Sequence, residues 1–289
     1  MATAPKNLPI IPSKAPNLPI ATVEYSQAYT DQLLNTLRLY FNQIDNFTQP
    51  LSTTSGGSYL TFPYGAFHYD KSTALTAAIT NTSTTPIAVS STSGFANSGA
   101  IMIGTEIITY TTTTATAFDG TVTRGAYGTT KSAHSIGDVV TSVQGTTANT
   151  RTPMYLNTTD FSNTVSLVGS GNTSQISFNV AGVYNIQFSA QAGNAGASPD
   201  NVTIWVRQNG ADIPETAGIA TVPSSHGGID GAAIFSWNYF ISANSGDYVE
   251  LYWTTDSGTS VIKTYPAGVS PVHPVSPALI LTAQFVSAL

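Results

Sequence analysis

Four histidines are the residues with which this sequence could most readily do acid–base or metal chemistry: His68, His134, His226 and His273. They lie far apart in the chain and form no pair at helical spacing, and no ladder of Asp and Asn residues marks a calcium loop. His68 is followed by Asp70, but the aromatic residues around them favour a packed histidine over an acid–base pair. We therefore expect no metal ion and no cofactor.

A second group of reactive side chains lies in a glycine-rich segment and consists of Glu106, Arg124, His134 and Asp138. A catalytic site would need a nucleophile, an acid or base, and an oxyanion donor within mutual reach, and this spacing offers no such set. We predict a structural pair between Glu106 and Arg124 and a histidine in a turn. The sequence therefore predicts no catalytic residues and a protein that is not an enzyme.

The composition makes nucleic acids and membranes improbable partners. The chain has 289 residues, of which 41% are hydrophobic and 8% charged, with a net charge of −6 and only nine Lys and Arg. A basic surface for nucleic acid or anionic membrane is thus not expected, and no apolar stretch is long enough to span a bilayer. The chain has no cysteine, so disulfides and thiolate metal sites are excluded. Thr, Ser, Asn and Gly replace the missing charge, as in β proteins rich in turns.

The first 22 residues are predicted to be an extended docking arm. Prolines recur every three or four residues, which excludes a helix and favours a partly polyproline conformation. A disordered tail is the alternative. The prolines assigned to docking on a partner are Pro5, Pro9, Pro12, Pro16 and Pro19.

Residues 23–48 are predicted to form a helix that joins copies of the chain. Apolar residues recur at alternating spacings of four and three, as in a short coiled-coil seam. A single amphipathic helix on a domain surface would show the same pattern. The residues assigned to the seam are Leu33, Leu37, Tyr40, Ile44 and Phe47.

The rest of the chain is predicted to be β structure in three parts. Residues 49–78 form a linker or collar, residues 79–146 a small β module punctuated by glycines, and residues 147–289 a β-sandwich. The last strand is apolar on both faces, which indicates burial within a sandwich or against a copy of the chain. From this strand we assign Leu279, Leu281 and Phe285 to a subunit interface.

Residues 79–146 resemble a small β module that recurs in virion proteins of tailed bacteriophages. The resemblance covers about 60 residues. It is carried by the order of Phe95, Gly99, the strand from Glu106 to Tyr110, Arg124 with Gly125, Gly128 with Thr129, His134, Gly137 and Asp138.

The C-terminal part is similar to the jelly roll of the C1q and tumour-necrosis-factor superfamily. The segments GVYNIQF, VTIWVRQNG and SGDYVELYW occur in the superfamily's order and spacing. The framework positions that match are Gly182, Tyr184, Asn209, Gly210, Gly246 and Asp247. The resemblance implies a homotrimer with apolar faces that meet on a threefold axis. The chain has neither a collagen repeat nor a signal peptide, which favours a phage virion protein over a secreted one.

Together these features predict a mainly β, homotrimeric virion component on the outer surface of a capsid or tail. Residues 1–47 would bind capsid or tail proteins, and the jelly roll would point outward, as a fibre or a capsid-decoration (cement) protein. One alternative is an adhesin for a host receptor or glycan at a tail-fibre tip. Sugars stack on aromatic faces, but Trp205, Trp237 and Trp253 fall on strands and are predicted to pack in the core or seam. The other alternative is a capsule depolymerase, against which stands the absence of a β-helix repeat.

Overall fold

The computed structural model describes residues 16–21, 23–51, 62–84, 86–169 and 171–289. The chain divides into two compact units, residues 1–62 and residues 63–289. Strands account for 49% of the residues and helix for 10%, which confirms the predicted mainly β class with one helix. Residues 16–21, which include Pro16 and Pro19, are neither helix nor strand, and Pro5, Pro9 and Pro12 lie outside the described residues.

The first unit contains the helix α1, Gln27–Leu51. It begins after Ser26, whose Oγ accepts a hydrogen bond from the backbone N–H of Tyr29 at 3.3 Å. A serine in this position satisfies one of the N–H groups that the first helical turn leaves unpaired, so it sets the start of the helix. The helix therefore begins four residues later than the sequence predicted and extends to Leu51 rather than ending at residue 48.

The second unit contains the strands. In chain order these are β1 Tyr64–Tyr69, β2 Ser72–Ala74, β3 Ile87–Ala88, β4 Gly99–Ile103, β5 Glu106–Tyr110, β6 Thr112–Thr114, β7 Ala117–Asp119, β8 Val139–Gly145, β9 Thr152–Pro153, β10 Thr158–Asn163, β11 Val165–Leu167, β12 Ile176–Phe178, β13 Gly182–Asn194, β14 Asp200–Gln208, β15 Ala211–Asp212, β16 Gly218–Val222, β17 Gly231–Ala243, β18 Tyr248–Thr255, β19 Ser260–Lys263, β20 Gly268–Val269, β21 Val272–His273 and β22 Leu279–Ser287.

Two sheets contain most of these strands. The larger has the order β10-β1-β22-β13-β19-β8-β4-β5, with β17 paired to β13 and β2 paired to β8. The smaller has the order β11-β12-β18-β14-β15, with β16 paired to β14 and β9 paired to β18. From β12 onward the main strands alternate between the sheets: β12, β14 and β18 lie in the smaller sheet, and β13, β17 and β22, which follow them in turn, lie in the larger. The chain thus crosses repeatedly between the two layers of a sandwich.

The main core lies between these two layers. Strands of both sheets alternate buried and outward residues, because successive side chains of a strand point to opposite faces. Tyr184 and Phe67 of the larger sheet and Trp253 and Phe178 of the smaller sheet are all fully buried in one cluster. Each such side chain contributes about 1.5–3 kcal/mol through burial, so the cluster is the main source of stability of the second unit.

A second core fills the segment that the sequence assigned to the central module. Ile87, Ile101, Ile108 and Phe118 are fully buried there, beneath the small sheet β3-β7-β6. Strand β8 pairs with β4 of this segment and also with β19 of the C-terminal part. The larger sheet is therefore continuous across the two predicted domains, and residues 63–289 form a single unit.

Residues 64–69, which the sequence placed in a linker or collar, form β1 of the larger sheet. Strand β1 pairs with β10, and its Tyr69 lies opposite Leu279 of β22. Phe67 of β1 belongs to the main core. Phe67 and Tyr69 are thus explained by packing within the subunit, whereas Tyr64 is 41% exposed.

Candidate functional site

The polar residues predicted to form a structural pair come together in a buried cluster around Glu106. Arg124 donates to both carboxylate oxygens, from Nε to Oε1 at 2.8 Å and from Nη2 to Oε2 at 2.7 Å. His134 Nε2 lies 2.8 Å from Oε2. All three side chains are buried, with Glu106 fully so. The predicted structural pair between Glu106 and Arg124 is therefore confirmed.

Backbone groups complete the cluster and assign it a structural role. The N–H of Gly125 donates to Glu106 Oε1 and that of Ser132 to Oε2, both at 3.0 Å. Arg124 Nη1 donates to the carbonyl of Thr80 at 2.6 Å. Burial alone would raise the pKa of Glu106, but the hydrogen bonds from Arg124, Ser132 and His134 outweigh it and lower the pKa to about 2. The carboxylate ties the segments with Arg124 and Ser132 to strand β5, Arg124 adds the segment with Thr80, and no lone pair of the carboxylate is left for a substrate.

Asp138, the fourth residue of the group, lies at the edge of this cluster. Its Oδ2 accepts a hydrogen bond from the N–H of Ser135 at 2.8 Å and lies 3.9 Å from His134 Nδ1. A carboxylate that accepts from the backbone three residues earlier closes a turn. The turn that Asp138 closes begins just after His134, which itself forms an antiparallel bridge with Ile79, so the prediction of a histidine within a turn is wrong by a few residues.

The cluster makes the unit sensitive to acid. Because the pKa of Glu106 is lowered from 4.5 to about 2, its stabilising effect is complete above about pH 5.5 and is lost as the pH falls through 4.5 towards 2. A shift of this size corresponds to about 3 kcal/mol at neutral pH. We expect the free energy of unfolding in urea to fall by this order between pH 6 and pH 2.5. The fall should be smaller by about the same amount in Glu106→Gln, and equal falls in the two proteins would contradict the assignment.

His68, the other histidine with a nearby acid, lies between two carboxylates at the surface. Its Nε2 is 3.2 Å from Asp70 Oδ1 and its Nδ1 is 3.1 Å from Asp160 Oδ2. The histidine is half-buried and sits on β1, directly after the buried Phe67. The interaction joins β1 to the neighbouring strand β10.

The remaining histidines are isolated. His226 forms a backbone bridge with Ile229, and His273 Nδ1 lies 2.8 Å from the carbonyl of Pro274. In the part of the chain that the structure describes, no three His, Asp or Glu residues are grouped so as to hold a metal ion.

An uncharged face of the larger sheet is the most distinctive surface of the second unit. Strands β17, β13 and β22 lie side by side and contain no Asp, Glu, Lys or Arg. Their outward residues are mainly Asn, Gln, Ser and Thr, among which Ile234, Phe240 and Ile280 are exposed by 65%, 64% and 40%. Pairing places Phe240 opposite Asn185, and Ser189 between Ser236 and Ile280. We call this surface the β17 face.

Strand β17 also has a free edge. It pairs along its whole length of 13 residues with β13, and no described strand pairs with its other edge. Natural edge strands are usually shortened, or protected by charges, prolines or bulges, because an open edge binds other strands. Strand β17 has no charge and no proline. An edge of this length and composition favours cover by another protein chain.

The C-terminal residues predicted to meet at a subunit interface belong to the core of one subunit. Leu279 and Leu281 are 0% and 1% exposed and lie in the main core cluster. Phe285 is half-buried, with its ring packed edge-on against Tyr184 at 5.6 Å between centroids. The leucines therefore have no surface left for a second copy. The residue between them, Ile280, is the one that points outward.

The helix residues predicted to form a seam all lie on one side of α1 and are half-buried: Leu33, Leu37, Tyr40, Ile44 and Phe47. The large apolar side chains of Leu34, Leu39 and Phe41 are exposed by more than half. No described apolar side chain of α1 is fully buried.

The tryptophans show no exposed sugar-stacking platform. Trp253 is fully buried in the main core. Trp237 is half-buried, stacked on Phe235 and tilted against Phe188. Trp205 donates its Nε1–H to Asp212 at 2.9 Å on the outer side of the smaller sheet.

Family models and curated proteins were compared with this chain. The chain matches no family model, and no curated protein is significantly similar to it. No helix among the described residues is long and apolar enough to cross a membrane. The function must therefore be inferred from the fold and its surfaces.

Proposed function

We propose that this chain is a non-enzymatic structural subunit of a tailed-phage virion that acts as a homotrimer. The β17 face carries the proposal. Three adjacent long strands that expose Ile234, Phe240 and Ile280 and carry no charge are suited to permanent burial, because they bring no ionic groups that would have to be desolvated. Amide and hydroxyl side chains around the apolar residues can pair with their counterparts in another copy.

A second copy of this chain is the occupant that we favour for the β17 face. A cyclic arrangement lets the face of one subunit cover the free β17 edge of the next, so every edge is covered and no fibre grows. In the C1q and tumour-necrosis-factor superfamily, which the C-terminal part resembles, three copies form such a ring. The chain's repeated crossing between two antiparallel layers is the connectivity that a jelly roll requires.

The helix supports the same assembly at the other end of the chain. The stripe from Leu33 to Phe47 has the spacing of a coiled-coil seam, and these side chains are only half-buried within the subunit. An isolated helix of 25 residues gains most of its stability from packing of its apolar side. Three such helices in parallel would bury the stripe and gather the N-terminal arms on one side of the trimer.

The virion location follows from the resemblance of residues 79–146 to a module of phage virion proteins. Residues 1–47 then anchor the trimer to capsid or tail proteins, and the jelly roll points outward as a fibre or a capsid-decoration protein. Such a subunit needs no catalytic site, and the buried cluster around Glu106 is consistent with this because its carboxylate is fully bonded.

Deletion of residues 1–47 tests the anchoring role. We expect the truncated chain to remain folded and associated through the β17 face but to be absent from purified particles, because the arm and helix that contact the virion are missing. Quantitative mass spectrometry of purified particles measures the incorporation. The full chain with Ile219→Arg, an exposed residue of the smaller sheet, is the control and should be incorporated normally. Equal incorporation of the truncated and full chains would contradict the anchoring.

A further inference from the structure

A cavity of about 280 Å³ is lined by residues of the adjacent strands β4, β5 and β8, of β9, and of the segment just before β4. Four tyrosines line it: Tyr69, Tyr110, Tyr127 and Tyr155. The lining contains no Asp, Glu, Lys, Arg or His, but it includes the amide of Gln144 and the hydroxyls of Ser98 and Thr152. The cavity therefore combines aromatic walls with neutral hydrogen-bonding groups.

Hydrogen bonds fix the side chain of one of these tyrosines and the backbone of another. The hydroxyl of Tyr110 donates to the carbonyl of Ala96 at 2.9 Å. The side chain of Gln144 binds both backbone groups of Tyr155, accepting from its N–H at 2.7 Å and donating to its carbonyl at 2.9 Å. Tyr155 itself is 37% exposed, so its ring stands at the opening of the cavity. Preformed walls of this kind are typical of a ligand site.

Tyr127 reaches the cavity through a strained backbone. Its φ of 55° lies in the left-handed region, which residues other than glycine rarely adopt. The turn that carries it is closed by Thr129, whose Oγ1 donates to the carbonyl of Ala126 at 2.7 Å. The ring lies against Gly145, where a Cβ would come within 2.2 Å of the tyrosine Cζ. Strain retained at the wall of a cavity indicates that the ring position itself is used.

We propose that this cavity binds one neutral pyranose residue of a glycan. The C–H face of a sugar ring packs on an aromatic face, here that of Tyr155 at the opening, and its hydroxyls can pair with the hydroxyls of Ser98, Tyr127 and Tyr155. The volume is at the lower end of that of small-molecule sites and suits one ring rather than a longer chain. Phosphorylated or acidic ligands are disfavoured because no cationic side chain lines the cavity.

The site lies within one subunit and does not depend on the proposed trimer for its geometry. If the trimer forms, it carries three such sites, and simultaneous binding to a surface glycan would raise the apparent affinity well above that of one site. Binding of a neutral sugar here would fit the adhesin alternative, through tyrosines rather than tryptophans.

Saturation-transfer NMR with the intact chain tests the site. The probes are the methyl glycosides of glucose, galactose and N-acetylglucosamine at about 10 mM, a range suited to ligands of about a dozen non-hydrogen atoms. We expect saturation transfer to at least one of them and none to the negatively charged sialic acid. Tyr155→Ala should weaken binding about tenfold through loss of the stacking ring, whereas Tyr155→Phe, which keeps the ring, should stay within about threefold.

Two controls keep the test decisive. Tyr64→Ala removes a tyrosine of similar exposure (41%) outside the cavity and should leave binding unchanged. Ser98→Trp, at an exposed position of the lining, should block the cavity without removing any core residue. Absence of transfer to every neutral glycoside, or transfer that survives both Tyr155→Ala and Ser98→Trp, would overturn the site. The mass of each variant in solution reports assembly separately, so loss of the site and loss of the trimer are distinguishable.

Discussion

Phe240→Arg is expected to convert the associated protein into single subunits. Phe240 is 64% exposed in one subunit, on the edge strand of a face without charge. An arginine there would have to be buried without a partner at each interface of a closed ring, and removing an unpaired charge from water costs several kcal/mol. Because the substitution is at the surface of the subunit, we expect the free energy of unfolding of one subunit to change by only about 0.5 kcal/mol.

Light scattering coupled to size-exclusion chromatography measures this change as a loss of mass. Ile219→Arg is the matched control, since Ile219 is 69% exposed on strand β16 of the other sheet. It should keep the mass of the parent protein. If Phe240→Arg kept that mass too, or if both variants lost it, the β17 face would not be the contact between copies.

Arg124→Met is expected to destabilise the second unit by about 3–5 kcal/mol, because it removes the arginine that binds both carboxylate oxygens of the fully buried Glu106. The matched control is Arg151→Met. Arg151 pairs with Asp212 at the surface, where both side chains are about half exposed, so the expected change is at most about 1 kcal/mol.

Urea unfolding followed by tyrosine and tryptophan fluorescence measures both variants. The double variant Glu106→Gln/Arg124→Met should recover part of the loss, because it removes the buried charge along with its partner. A change of less than about 1 kcal/mol for Arg124→Met would show that the cluster is not essential to the fold.

The local elements could be read from the sequence because each has its own pattern. The alternating spacing from Leu33 to Phe47 predicts α1, and alternation in residues 182–191 predicts β13. Glu106 and Arg124 are expected to form a structural pair because their spacing with His134 and Asp138 offers no catalytic set, and the two side chains are in contact. These features depend on neighbours in sequence, where pattern and structure are directly linked.

The pairing between distant segments could not be read in this way. Nothing in the local pattern of β8 shows that it joins β19, more than 100 residues later, so the predicted domains share a sheet that the sequence did not indicate. In strand β22 the pattern does not show which side chains face the core. Leu279, Ile280 and Leu281 are all apolar, so alternation cannot decide which of them face the core. The sequence therefore assigns the interface to Leu279 and Leu281, which face the core, and not to Ile280, which faces outward.

The β17 face itself had a signal that sequence reasoning passed over. In β17 large apolar residues occur on both faces, with Ile234 and Phe240 outward and Phe235 and Ile241 inward. Strands with two apolar faces are covered on both sides. The absence of charge along this strand and along β13 is the pattern that would have pointed to a contact surface there.

The mass of the intact chain in solution tests the central claim most directly. Native mass spectrometry, supported by light scattering at micromolar concentration, should give a species of three times the chain mass of 30.2 kDa. A well-folded species of 30.2 kDa alone under these conditions would contradict the account, because the β17 face would then stand open to water without a partner.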